Sequence, residues 1–138
     1  MKAVVLAGGL GSRLKHITQR VPKPMAPVNG VPFLEYILDH LVTCGAAEIV
    51  LAVSYMWEQI RDHFGTEFEG VPLRYSVESE PLGTGGAMQQ AMQCLDEQDI
   101  VVLNGDTLFP VDLQAMLEQH RDSGALLTMA VKQVEDAQ

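Results

Sequence analysis

The sequence predicts an α/β fold: a parallel sheet covered by helices on both faces. Three observations carry this expectation. Short apolar runs alternate with stretches of helical periodicity along the chain. The first run, Lys2 to Ala7, stops abruptly at glycine, as a buried parallel strand does before a tight turn. Polar or glycine-bearing segments follow the first, third and fourth apolar runs, so they would gather beyond the carboxyl ends of the strands, where such sheets bind ligands.

Each element has its own signal. Lys2 to Ala7 is the first strand. From Gly8 to Pro27, three glycines and three prolines exclude a regular element, and a loop of that length in a compact domain is usually functional or disordered. Leu34, Ile37, Leu38 and Leu41 then share one helical face. Pro32 suits the first helical position and Gly45 the stop. Glu48 to Val53 reads as the second strand. Trp57, Ile60 and Phe64 mark a short helix closed by Gly65. Leu73 to Val77 alternates and reads as the third strand, followed by a glycine-rich loop, Leu82 to Ala87. Met88, Ala91, Met92 and Leu95 place a helix after it, with the methionines as core filling. Ile100 to Leu103 is the most apolar strand and breaks at Asn104-Gly105-Asp106-Thr107. Asp112 is a candidate N-cap for a helix striped by Leu113, Met116, Leu117 and His120. Ala125 to Val131 reads as a last strand.

Composition narrows the function. The 138 residues are 47% hydrophobic and 20% charged, enough for one domain with a core and unlike a disordered chain. Nine Lys and Arg against eighteen Asp and Glu leave a net charge of −9, so no nucleic-acid partner is expected, since phosphate backbones attract clustered positive charge. A small anion held by one or two placed cations stays compatible. No apolar run approaches the ~18 residues that span a bilayer, so no membrane partner is expected. Met1 to Leu6 runs into Ala7-Gly8-Gly9, too soon for a signal peptide. Cys44 and Cys94 lie outside any CxxC pattern, which excludes a cysteine zinc site and fits a reducing, cytoplasmic location. The four histidines show no ligand spacing.

The candidate site residues follow the strands. Gly8-Gly9-Leu10-Gly11-Ser12-Arg13 lets backbone N–H groups approach a phosphate, although a Gly-Gly-x-Gly segment alone is a common turn. It is not a Rossmann fingerprint, because Leu14 stands where the third glycine or alanine belongs, and no Gly-Lys-Ser/Thr of a Walker A loop occurs. Arg13 could grip a phosphate with two parallel hydrogen bonds. Lys23, between Pro22 and Pro24, stands on a stiff mount that suits a single phosphate contact. Asp106 could hold a divalent metal that also touches nucleotide phosphates, with Asn104 nearby as a polar partner, and one carboxylate leaves phosphates, waters or a second acid to complete the sphere. Leu82 to Ala87 could lie against a flat base. Glu78 and Glu80, just before it, could accept from a base amino group but read better as solvated strand-end charges.

Together these segments resemble a known family. Leu6-Ala7-Gly8-Gly9-Leu10-Gly11-Ser12-Arg13-Leu14, then Pro22-Lys23-Pro24-Met25, then Asn104-Gly105-Asp106, are similar to the sugar-1-phosphate nucleotidyltransferases over nearly the whole chain. Val28 to Tyr36, Glu80 to Ala87 and Val102 to Thr107 look closest to the D-glycero-D-manno-heptose 1-phosphate guanylyltransferase branch, with N-acetylmuramate 1-phosphate uridylyltransferases as neighbours. The resemblance implies a Rossmann-like sheet of the nucleotide-diphospho-sugar transferase type. It implies that an NTP, GTP favoured, and a sugar 1-phosphate, heptose 1-phosphate favoured, give an NDP-sugar and pyrophosphate with Mg2+. It assigns Gly11, Ser12 and Arg13 to the triphosphate, and Lys23 to the α-phosphate or the incoming phosphate. Leu6, Ala7, Gly8 and Gly9 fall to the nucleotide, Gly83, Thr84 and Gly85 to the base, Asn104 to the nucleotide and Asp106 to the metal. Family members usually continue past Gln138 with a second metal acid and much of the sugar pocket. Residues 1–138 are therefore expected to be the nucleotide-binding part of a domain cut short at its C-terminus, with an open sheet edge that would favour a homo-oligomer. Two other readings stay open: a molybdopterin-type nucleotidyltransferase with a similar Leu-Ala-Gly-Gly opening, and a non-catalytic nucleotide-binding or interaction module.

Overall fold

The computed structural model describes residues 1–9, 21–96 and 99–133. The chain divides into two compact units, Met1–Leu108 and Phe109–Gln138.

The first unit is built on a five-stranded sheet. Its strands are β1 (Lys2–Leu6), β4 (Glu48–Val53), β5 (Glu67–Phe68), β6 (Val71–Val77) and β7 (Ile100–Asn104), in the order β5-β6-β4-β1-β7. β6, β4, β1 and β7 are parallel, and only the short β5 runs antiparallel, so the sheet is mixed rather than purely parallel. Its helices among the described residues are α1 (Phe33–Thr43), α2 (Trp57–Phe64) and α3 (Gly83–Met92).

β1 and β4 are apolar almost throughout because both faces are covered. Val4, Val50 and Ala52 pack with Ala87, Ala91 and Leu95 of the α3 segment, and Met92 joins them at the margin. On the opposite face Ala3, Val5, Ile49, Leu51 and Val53 are equally buried, and the apolar stripes of α1 (Leu34, Ile37, Leu38, Leu41) and α2 (Ile60, Phe64) are buried as well. This division follows from chain direction. The steps β1 to β4 and β4 to β6 move one way across the sheet, whereas β6 to β7 jumps back past β1. Right-handed crossovers then put α3 on the face opposite α1 and α2. The reversal leaves a crevice at the carboxyl ends of β1 and β7.

Several boundaries differ from expectation. Pro27–Val28 (β2) and Val31–Pro32 (β3) form a small hairpin inside the region read as loop and helix start, and α1 begins at Phe33, with Pro32 preceding it. Its two-residue turn is Asn29-Gly30, both at positive φ (52° and 84°), the pairing that matches strand twist. Glu69-Gly70 joins β5 to β6 in the same way, at 48° and 80°.

In the second unit, α4 (Leu113–Ser123) buries Leu113 and Leu117. Asp112 caps it as expected, its Oδ1 accepting from the N–H groups of Gln114 (3.1 Å) and Ala115 (3.0 Å). The strand expected at Ala125 to Val131 does not form: those residues carry no regular structure, and Leu126, Leu127, Met129 and Val131 are exposed. β-propensity becomes a strand only when a ladder and a packed face reward it, and this segment has neither.

Candidate active site

A cleft of about 630 Å³ opens at the carboxyl ends of β6, β4, β1 and β7. β1 delivers Leu6, Ala7, Gly8 and Gly9 to it, β4 delivers Ser54 and Tyr55, β6 delivers Glu78 to Pro81, and β7 delivers Asn104 and Asp106. Lys23, Gly83, Thr84 and Ala87 line it as well.

The loop after β1 is locked between its neighbours. Ala7 N–H donates to Ala52 O (2.8 Å), and Gly105 N–H donates to Leu6 O (2.9 Å). Ser54 Oγ donates to Gly8 O. Two glycines here answer to close approach. A Cβ on Gly8 would lie 2.8 Å from Glu78 Oε1. One on Gly105 would lie 3.1 Å from Leu6 O and 3.2 Å from Ala7 Cβ. Glycine at 105 therefore lets β7 end flush against β1 and sets where Asp106 emerges.

Lys23 and Asp106 meet at one end of this cleft. Lys23 opens a 3-10 turn (Lys23–Met25) flanked by Pro22 and Pro24, with Met25 N–H bonded to Pro22 O (2.8 Å) and Ala26 N–H to Lys23 O (3.1 Å). From that stiff mount Nζ donates to Asp106 Oδ2, joining residues 83 apart in sequence. The Lys23 hydrogen bond and charge hold the Asp106 carboxyl below its ordinary value against the opposing effect of burial, with Thr107 Oγ1 adding a second bond at 3.2 Å. Asp106 is thus a carboxylate, and Lys23 keeps donors to spare for another anion.

At the other end lie Glu78, Glu80 and the glycine segment. Gly83, Thr84 and Gly85, expected in a loop, instead form the first turn of α3. Burial of Ala87 and Ala91 overrides the poor helix propensity of the glycines. Gly83 enters at φ +68°, a conformation that favours glycine. The first N–H groups of a helix lack intrahelical partners, and Gly83 and Thr84 place that turn on the cleft. Gly85 does not line it. Glu78, read from sequence as a solvated charge, is instead built in: its Oε2 accepts from Leu82 N–H (3.1 Å) at the entry to α3.

Of the expected site residues, Leu6, Ala7, Gly8, Gly9, Lys23, Gly83, Thr84, Asn104 and Asp106 line one cleft. Gly11, Ser12 and Arg13 lie outside the described residues. Ser54 and Tyr55 carry no motif that singles them out, although the position that points to the other loops, just after a parallel strand, applies to them equally. No group of three or more His, Cys, Asp or Glu able to hold a metal stands among the described residues. No helix there is long and apolar enough to cross a membrane.

Known proteins similar to this chain are nucleotidyltransferases. A family described as "Nucleotidyl transferase" matches residues 2–138. The chain is 44% identical over 136 residues to the D-glycero-alpha-D-manno-heptose 1-phosphate guanylyltransferase of Aneurinibacillus thermoaerophilus, and 45% identical over 136 residues to the enzyme of that name from Campylobacter jejuni. Each alignment takes in 99% of this chain and 59% of the relative. Among solved structures, HddC from Yersinia pseudotuberculosis complexed with GMP-PN superposes with a TM-score of 0.79 at 36% identity, covering 88% of this chain and 54% of that one. The chain thus spans somewhat over half the length of the curated relatives it matches.

Proposed function

From the premise that this chain belongs to the nucleotidyl transferase family, we propose that it supplies the nucleotide-binding part of a sugar-1-phosphate guanylyltransferase. The substrates on this reading are GTP and a heptose 1-phosphate, and the products are a GDP-sugar and pyrophosphate. One observation carries the reading furthest: Lys23 and Asp106 pair at one end of a cleft also lined by glycines of both glycine segments. The named activity of the heptose 1-phosphate guanylyltransferases, and the complex of HddC with GMP-PN, support the choice of guanine and heptose.

The reaction is a displacement at the α-phosphorus. A sugar-phosphate oxygen forms the new P–O bond, the bond to the bridging oxygen breaks, and pyrophosphate leaves with that electron pair. Such a step depends on positioning and charge neutralisation more than on covalent help. Lys23 places a cation beside the phosphates on a backbone stiffened by two prolines. Arg13 would grip the triphosphate as a two-pronged donor. Gly8 and Gly9 leave the backbone bare where the nucleotide lies, and Asn104 offers it a polar contact. Asp106 would hold Mg2+, and its ionised carboxylate fits as one hard oxygen donor among phosphate oxygens and waters. When bound, that ion would offset charge developing on the phosphate oxygens.

The test is a thermal-shift panel of GTP, ATP, UTP, CTP and dTTP with Mg2+, followed by turnover with heptose 1-phosphate and pyrophosphatase. GTP is expected to stabilise most, and Arg13→Lys to weaken that effect. A preference for UTP or dTTP would overturn the choice of base. GTP binding with little turnover is expected of these 138 residues alone, and turnover of a chain extended to the length of its relatives. No turnover in the extended chain would favour a nucleotide-binding module.

A further inference from the structure

We infer that Tyr55 is the stacking platform for the nucleotide base, a role that rests on the nucleotide-binding reading above. The charged side chains of the cleft are divided between its two ends. Lys23 and Asp106 stand at the β7 end, whereas Glu78 and Glu80 line the β6 end. Two carboxylates repel a triphosphate, so the phosphates belong with Lys23 and the uncharged base belongs toward β6. Tyr55 follows β4, which lies between β6 and β1. Two strand spacings separate β4 from β7, about 10 Å. That distance puts Tyr55 beyond the phosphates and beside the base.

The side chain itself is free for the task. Tyr55 is 56% exposed, the most exposed large apolar side chain among the described residues of Met1–Leu108, and it still lines the cleft. No hydrogen bond or ring contact engages it among the described residues. Trp57, only two residues on, is committed instead: its ring lies 6.0 Å from that of Tyr75 and 5.0 Å from the Arg61 guanidinium carbon. Between them Met56 takes a left-handed conformation (φ +58°), unusual for a residue with a side chain. The turn closes with Trp57 N–H on Ser54 O (3.2 Å), while Ser54 Oγ is tied to Gly8 O. The mount of Tyr55 is therefore fixed to the loop that faces the nucleotide. An aromatic ring held beside a flat base gains by stacking whichever base it is.

The test measures binding of GTP with Mg2+, ATP with Mg2+, and inorganic tripolyphosphate by isothermal titration to the full chain and to Tyr55→Phe and Tyr55→Ala. Melting temperatures are recorded alongside. Stacking predicts that Tyr55→Ala loses roughly tenfold in affinity for both nucleotides, that Tyr55→Phe keeps wild-type affinity, and that tripolyphosphate binding does not change. Three results would overturn it: wild-type GTP affinity in Tyr55→Ala, equal losses for tripolyphosphate and nucleotide, or a loss in Tyr55→Phe matching that in Tyr55→Ala. If the wild-type chain binds no nucleotide, the functional reading and the stacking role fall together. If it binds nucleotide and Tyr55→Ala does so equally well, only the stacking role falls.

Discussion

Asp106 and Tyr75 show how single side chains take their properties from neighbours distant in sequence. Asp106 and Lys23 are each about one-third exposed, so water screens their pair and its contribution to stability is small. Asp106→Asn should accordingly leave the melting temperature nearly unchanged while weakening Mg2+-dependent GTP binding. Titration of GTP with and without Mg2+ checks this, and an unaltered dependence would reduce Asp106 to a turn residue. Tyr75 is the opposite case. Its hydroxyl donates to Gly65 O (2.7 Å), and burial pushes the phenol above its ordinary value, with Arg61 acting weakly against it. A raised folded value means that the contribution to stability is complete below the unfolded pKa of about 10 and is lost as pH rises through the folded one. Tyr75→Phe should flatten the alkaline limb of the stability curve and cost about 1 kcal/mol at neutral pH. Denaturant midpoints measured across the alkaline range decide it.

At the scale of elements, ends matter more than middles. α4 starts where Asp112 satisfies two N–H groups that have no partner within the helix. Asp112→Ala should cost about 1 kcal/mol of helix stability and speed hydrogen exchange at the Gln114 and Ala115 amides. Unchanged exchange at both would mean that the cap is redundant. α3 starts on three residues that disfavour helix, with no side-chain cap, and it is held by Ala87, Ala91 and Leu95 against the sheet. An uncapped, glycine-rich helix start can leave N–H groups turned to a ligand. The two hairpin turns, Asn29-Gly30 and Glu69-Gly70, owe their form to a pair of residues at positive φ, and Asn-Gly is legible from sequence alone.

Across the whole molecule, apolar residues divide into those the sheet uses and those it does not. Leu38 is fully buried in α1, and Leu38→Ala should destabilise by about 2–5 kcal/mol through lost burial and the cavity left behind. Leu126 has no shelter, and Leu126→Ala should change stability by less than about 0.5 kcal/mol. Denaturant unfolding of both variants measures the contrast, and similar losses in the two would refute it. Lysines at Leu126 and Leu127 should raise solubility without lowering the denaturant midpoint, since exposed apolar runs drive association.

Local pattern settled most of the sheet and its helices. β4 was legible residue for residue because it is apolar on both faces and ended by charged or turn-forming neighbours, and α2 because its stripe ends at Gly65. Position after a strand was enough to nominate Gly8, Gly9, Asn104 and Asp106, since parallel strands all point their carboxyl ends the same way. What local pattern could not reach depends on partners across the chain. Whether Leu82 to Ala87 is loop or helix turned on the packing of Ala87 and Ala91 beneath it, and Ala125 to Val131 has strand propensity without a ladder. The strand order, with its jump from β6 back past β1 to β7, decided that Lys23 would meet Asp106 and that Glu78 and Tyr55 would share their cleft. Such encounters join residues far apart in sequence, and only the order in which the strands pair decides which loops become neighbours.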